Sequence, residues 1–109
     1  MKKLFISIIN YNGTANTIEC LKSLQQLQRR QASVHVIVID NNSKEPIEIK
    51  ASDFSGLPVT LIKSKINLGF SGGHNIGIRH ALQHEADFVM LLNNDTFVDR
   101  HLTDELMRV

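Results

Sequence analysis

The residues best suited to chemistry stand in four polar clusters, each following an apolar run. Asn10-Tyr11-Asn12-Gly13 follows Leu4 to Ile9, and Asp40-Asn41-Asn42-Ser43 follows Val34 to Ile39. Asn67-Leu68-Gly69-Phe70-Ser71-Gly72-Gly73-His74-Asn75 comes shortly after Val59 to Ile62, and Asn93-Asn94-Asp95-Thr96 follows Phe88 to Leu92. Any one cluster reads as turn punctuation. All four at strand ends make a rim of donors and acceptors suited to a polar ligand. A carboxylate such as Asp40 can accept from a nucleobase ring N–H, with Asn41 pairing to neighbouring carbonyl and amine groups. Tyr11 offers a flat amphipathic ring that either stacks on a base or wedges between a helix and the sheet. Gly69, Gly72 and Gly73 either form turns or bring backbone N–H groups close to a diphosphate or sugar, just before a helix N-terminus. Asp95 either caps a turn beside Thr96 or joins phosphate oxygens around Mg²⁺ or Mn²⁺, where the ion would offset charge on a leaving diphosphate. Asn94 reads as the spacer of that site, with an amide that could reach a ribose.

The elements that must position these clusters follow from patterning. The first, second and fourth apolar runs are nearly continuous, as expected of parallel strands covered on both faces. The third lies between Pro58 and Lys63-Ser64-Lys65, which fits an edge. Ile18, Leu21, Leu24 and Leu27 recur at helical spacing beside Cys20, with Asn16 and Glu19 forming a capping-box pattern. A second helix is predicted from Gly72 or Gly73 to His84. Its Gly73 and Gly77 share one face, and a helix-interior glycine implies close approach to the sheet or a ligand. A last helix is predicted from Asp99, as N-cap, through Leu102, Leu106 and Met107. Between Asn41 and Leu57 the pattern predicts loop with a short helix. The fold class is therefore α/β: three layers, a mostly parallel four-stranded sheet with helices on both faces. Ligands of such sheets bind outside the carboxyl ends of the strands, where the four clusters lie.

The chain has 109 residues, one small domain, and 42% of them are hydrophobic. Twelve Lys and Arg against eleven Asp and Glu leave a net charge of +1, which argues against a nucleic-acid partner bound through bulk charge. A single cysteine, Cys20, excludes a disulfide framework and a multi-cysteine zinc site, and it reads as a small core residue. The apolar run after Met1-Lys2-Lys3 is too short for a signal-peptide core, and no run is long enough to span a bilayer. The expected location is the cytosol, with peripheral attachment to the inner membrane face as a variant. The glycine-rich stretch is neither G-x-G-x-x-G after the first strand nor G-x-x-x-x-G-K-[ST], which excludes a Rossmann dehydrogenase and a P-loop kinase. A nucleotidyltransferase would carry basic residues after the first strand, and Asn10-Tyr11-Asn12-Gly13 has none. His80 and His84, four apart, read as a solvated face rather than a metal site. His74 reads as a loop residue rather than a phosphate contact, and Arg29-Arg30 as the positive end of the first helix.

Taken in order and at their spacing, Ser7-Ile8-Ile9-Asn10-Tyr11-Asn12, Val38-Ile39-Asp40-Asn41-Asn42-Ser43, Asn67 to Gly77 and Leu91-Leu92-Asn93-Asn94-Asp95 resemble family-2 glycosyltransferases of the GT-A fold, most of all the bacterial rhamnosyltransferase-like members. The resemblance runs from about Leu4 to the end of the chain. It implies transfer of a sugar, with inversion, from a UDP-, dTDP- or GDP-linked donor to a hydroxyl of a glycan or lipid-linked acceptor of the cell envelope. It implies that Asn10, Tyr11, Asn12, Asp40, Asn41 and Ser43 line the nucleoside site, with Tyr11, Asp40 and Asn41 on the base. It implies that Asn67 to Asn75, including Gly69, Gly72, Gly73 and Asn75, close over the donor. The family's D-x-D element corresponds to Asn93-Asn94-Asp95, so Asp95 is the one charged metal ligand. The family's catalytic domain is about twice this length, and its second half carries the acceptor site and the general base. Asp99, Asp104 and Glu105 look like cap and solvent-facing residues instead. The resemblance thus implies that residues 1–109 are the nucleotide-binding half, a truncated or short chain. The fourth strand is then an open edge that invites self-association. A non-catalytic nucleotide-sugar binding module is the alternative.

Overall fold

The computed structural model describes residues 1–50 and 52–108. In chain order the elements are β1 (Lys2–Asn10), α1 (Thr14–Gln25), β2 (Ala32–Asn41), β3 (Val59–Ser64), α2 (Gly69–Gln83), β4 (Phe88–Leu92) and α3 (Leu102–Leu106). The strands form one four-stranded sheet in the order β3-β2-β1-β4, and every pairing is parallel. β3 is an edge, as Pro58 and the flanking lysines imply, and β4 is the other.

Alternation along the central strands builds the two faces. Leu4, Ile6 and Ile8 of β1 and Val34, Val36 and Val38 of β2 pack with Cys20, Leu21 and Leu24 of α1, with Leu102 and Met107 at the margin. Phe5 of β1 and Ile37 and Ile39 of β2 pack with Ala81 of α2. Both strands are covered on both sides, which is why their sequences read as continuous apolar runs. The α2 face is held close by glycines. A Cβ on Gly73 would stand 2.8 Å from Ile9 Cδ1, and one on Gly77 would stand 2.9 Å from Ser7 Cβ. The close approach expected at Gly77 is therefore to the sheet.

Several boundaries depart from the sequence expectations. α1 begins at Thr14 with Gly13 as its uncapped N-cap, because the Thr17 N–H already bonds the Gly13 carbonyl at 3.0 Å. Asn16 is thus exposed inside the helix and makes no capping box. The helix stops at Gln25, so Leu27 is buried just beyond it, and Arg29-Arg30 lie in the connection to β2. α2 begins at Gly69, not Gly72 or Gly73. The Asn67 Oδ1 accepts the Gly69 N–H at 2.8 Å and turns the chain directly into the helix. Asp99 does not cap α3. Its Oδ1 accepts the His101 N–H at 2.8 Å in a turn that precedes the helix. Among the described residues between Asn42 and Leu57 there is no helix, and Ala51 lies outside the described residues. That segment instead sends Ile47, Phe54 and Leu57 into the α1-side core.

Candidate functional site

Register brings the polar clusters together. Asn10 pairs with Asp40 across β1 and β2, and Asn41 pairs with Ser64 across β2 and β3. Leu92 pairs with Ile8, so the Asn93-Asn94-Asp95 turn leaves β4 beside the end of β1. All four strand ends thus share one edge of the sheet. They border a cleft of about 400 Å³ lined by Ile9, Tyr11, Asn41, Asn67, Gly69, Phe70, His74, Leu92, Asn93, Asn94 and Asp95. A larger groove, about 700 Å³, lies along β4 between Phe88–Leu91 and Leu106-Met107. Apart from Lys2 and Gln31 its lining is apolar, and it lacks the strand-tip groups.

The expected site residues separate into those that line the cleft and those that brace it. Tyr11 is 51% exposed on the cleft wall, so it is not a wedge between helix and sheet. Asn10, Asp40 and Ser43 are buried beneath, in a continuous polar network. The Asn94 Nδ2 donates to Thr17 Oγ1 at 3.1 Å, and the Thr17 hydroxyl donates to Asn10 Oδ1 at 2.6 Å. The Asn10 Nδ2 donates to Asp40 Oδ1 at 3.1 Å, as does the Ser43 hydroxyl at 2.6 Å. Ser43 Oγ also accepts the Asn12 N–H at 2.9 Å. The network ties the ends of β1, β2 and β4 and the start of α1 into one unit. Buried polar groups need such partners, and once satisfied they fix geometry. Asn12 lies outside the cleft, in the left-handed region (φ 52°), with its Oδ1 accepting the Lys44 N–H at 2.8 Å.

Asn41 is a brace as well as a wall. Its Nδ2 donates to Asn67 Oδ1 (3.0 Å) and to the Gly69 carbonyl (3.1 Å), and its Oδ1 accepts the Leu68 N–H (2.9 Å). These bonds pin the start of α2 to the tip of β2. Gly72 and Gly73 lie inside α2, where Gly73 meets Ile9 and Gly72 meets Leu68, and neither borders the cleft. The expected glycine loop over a donor is therefore largely a helix. Asn75 is exposed on α2 and also stands outside the cleft lining.

Four residues of importance escape the sequence reading. Thr17 is fully buried in the network, and Ser7 is fully buried facing α2. His74 is helical and 2% exposed, not in a loop, and its Nδ1 shares a hydrogen bond with Ser7 Oγ at 2.9 Å. Burial lowers its pKa below the ordinary imidazole value, which favours the neutral ring in the cleft wall. Phe70, 61% exposed, meets His74 edge-on at 4.5 Å between centroids. Signals existed for three of them. Thr17 stands four residues before Leu21 on the apolar stripe, His74 shares the face of Gly77 and Ala81, and Ser7 interrupts an apolar run.

The turn after β4 holds the residues expected from the sequence to bind a metal. Asp95 is exposed at the cleft, and Asn94 is held by Thr17 and by the Gly13 carbonyl (3.4 Å). Cys20 lies under this turn, with Sγ 3.9 Å from the Asn93 carbonyl. Burial pushes its thiol pKa up to about 11, and the charge of Asp95 adds to the rise. Among the described residues no group of three or more His, Cys, Asp or Glu could hold a metal. One carboxylate with amide oxygens suits Mg²⁺ or Mn²⁺ only if a ligand's phosphates complete the shell, a common arrangement for Mg²⁺.

The sequence matches the family described as Glycosyl transferase family 2 over residues 5–108. The chain belongs to that family. Solved structures with the same fold include S. aureus TarS 1-349, at 20% identity and a TM-score of 0.80, covering 99% of this chain and 32% of that one. TarS 1-349 in complex with UDP-GlcNAc aligns at 19% identity and a TM-score of 0.79, covering 99% and 30%. TarS 1-349 in complex with UDP gives 21% and 0.76, covering 97% and 31%. The family-2 chain thus spans about a third of those TarS chains. No curated protein matches the sequence. No described helix of this family-2 chain is long and apolar enough to cross a membrane.

Proposed function

We propose that residues 1–109 form the donor-binding half of an inverting, metal-assisted glycosyltransferase, with a nucleotide-diphosphate sugar in the strand-tip cleft. The observation that carries this reading is the convergence of all four strand ends on that one cleft. Family membership and the solved TarS complexes with UDP and UDP-GlcNAc support a UDP-linked donor ahead of a dTDP- or GDP-linked one. Tyr11 would stack on the base. Asn41 and the Asp40 oxygen not bonded to Asn10 and Ser43 would meet the base edge. The N-terminal amides of α2 suit the diphosphate. Mg²⁺ or Mn²⁺, held by Asp95 with the Asn93 amide and donor phosphates, would neutralise charge on the leaving diphosphate.

In the complete reaction an acceptor hydroxyl oxygen, from a glycan or lipid-linked glycan, forms a bond to the anomeric carbon. The bond from that carbon to the diphosphate breaks, and the hydroxyl proton passes to a base outside these residues. The proposed setting is the cytoplasm, with peripheral attachment at the inner membrane face. The open β4 edge would support self-association, which sedimentation checks; a monodisperse monomer refutes it.

Thermal-shift measurements with UDP-, dTDP- and GDP-sugars, with and without Mn²⁺, test the donor reading. A UDP-sugar is expected to raise Tm, more so with Mn²⁺, and Asp95→Ala is expected to lose only the metal-dependent part. No stabilisation by any nucleotide sugar would refute the assignment. A non-catalytic binding module is the second reading, favoured by Asp95 being the single carboxylate lining the cleft. Binding without transfer or donor hydrolysis would decide for it. The absence of Lys and Arg from the cleft lining weighs against a nucleotidyltransferase.

A further inference from the structure

A second cluster of titratable side chains lies where the C-terminal end of α2 meets β1 and β2, away from the cleft. Phe5, 5% exposed, is at its centre. The His35 ring of β2 stacks on Phe5 at 4.8 Å between centroids and 14° between planes. His80 of α2 and His84, the residue that caps its C-terminus, each place a ring 6.4 Å from Phe5 and stack on each other at 4.1 Å. The Lys3 ammonium reaches the His84 carbonyl at 3.4 Å. These residues line a pocket of about 360 Å³.

The arrangement does not suit a metal. An imidazole lone pair lies in the ring plane, so stacked rings aim their lone pairs side by side rather than at a common point. The His84 Nδ1–H donates to the His80 carbonyl at 2.8 Å, His35 Nε2 pairs with Ser33 Oγ at 3.0 Å, and Lys3 would repel a cation.

The cluster does suit a response to protons. As neutral rings, His35 lies flat on Phe5, His80 meets it edge-on and His84 stacks on His80, whereas imidazoliums at these separations repel each other and the Lys3 ammonium. The charged and titratable groups facing the cluster are Lys3 from β1, His35 from β2 and Glu85 from the turn after α2, while β3 contributes only the uncharged Thr60. Asp87 is engaged with the Lys3 backbone N–H at 2.7 Å. Acidification therefore sets several cations against two carboxylates, Glu85 and Asp87.

We propose that His35, His80 and His84 form an acid-sensitive latch: their neutral rings clamp the C-terminal end of α2 to the sheet, and protonation releases the helix whose other end lines the strand-tip cleft. Burial lowers the pKa of His35, with Lys3 and His84 adding to the shift, and burial with His84 lowers that of His80. The unfolded chain takes up these protons near the ordinary value of 6.5, and the folded chain only at lower pH. Over that window the unfolded state binds more protons, so stability is complete above it and falls as pH drops through it.

The test is a histidine NMR titration of the full chain, with urea unfolding and amide exchange over α2 between about pH 7.5 and 5.5. His35 and His80 are expected to titrate below the ordinary value. Exchange in α2 is expected to quicken severalfold on acidification, after correction for intrinsic rates. A His80→Gln/His84→Gln variant is expected to lose less stability than the parent over this range, the remainder coming from His74 and His35. An unchanged pH slope in that variant, or α2 exchange indifferent to pH, overturns the latch. Should the double variant not fold, His84→Gln alone must raise the His80 titration point, and an unmoved value overturns the proposal equally.

Discussion

Gly77→Ala separates two physical effects of opposite sign. On helix propensity alone the change should stabilise the chain by about 1 kcal/mol, since glycine inside a helix is penalised by that much. The packing says otherwise. The new Cβ would stand 2.9 Å from Ser7 Cβ, which cannot rotate away, and closer still to the Ser7 hydroxyl. Restoring an ordinary carbon–carbon separation requires α2 to back off β1 by roughly 1 Å. Such overpacking costs about 1–3 kcal/mol. The shift also stretches the buried Ser7–His74 hydrogen bond, 2.9 Å long, worth another 0.5–1.5 kcal/mol or so. The net expectation is a loss of about 2 kcal/mol, or on the order of 10 °C in Tm for a chain of this size. Urea and thermal unfolding, followed by circular dichroism, measure it. Ser7→Gly in the same chain removes the colliding atoms and should recover most of the packing cost. A Gly77→Ala protein as stable as its parent, or more so, would refute the close approach of α2 to the sheet.

Asn41→Ala removes three hydrogen bonds that pin the Asn67–Gly69 segment, and should cost about 1–3 kcal/mol and weaken nucleotide binding, checked by urea unfolding and calorimetry. Tyr11→Ala, at an exposed position, should leave stability within about 0.5 kcal/mol and weaken UDP binding roughly tenfold, measured by calorimetry; unchanged binding would remove the stacking role. The Cys20 thiol, buried and pushed up to about 11, should resist thiol reagents near pH 8 until the chain unfolds, as timed labelling with and without urea reads out. Because the unfolded chain releases that proton near 9.0, Cys20 should also make stability fall as pH rises from there toward 11, seen as a declining urea midpoint.

Much of the architecture is legible in the chain because it depends on local pattern. The unbroken apolar runs of β1 and β2 declare strands covered on both faces, and the polar residues ending each run mark one sheet edge. Helix starts are less legible. Gly13 and the Asn67–Gly69 turn begin α1 and α2 earlier than the patterning suggests, the first through a backbone bond that no side-chain type announces and the second through the Asn67 side chain. That the four strand-tip clusters share one edge is also legible, since in a parallel sheet every carboxyl end points the same way. Only tertiary structure decides each residue's depth there. The pairing of Asn10 with Asp40 and the burial of Thr17 turn Asn10, Asp40 and Ser43 into the frame beneath the cleft, while Tyr11 and Asp95 remain at its surface. The same holds for Ser7 with His74, and for Phe5 with His80 and His84: residues 67 or more positions apart meet because α2 lies across β1, a contact that composition and spacing do not encode.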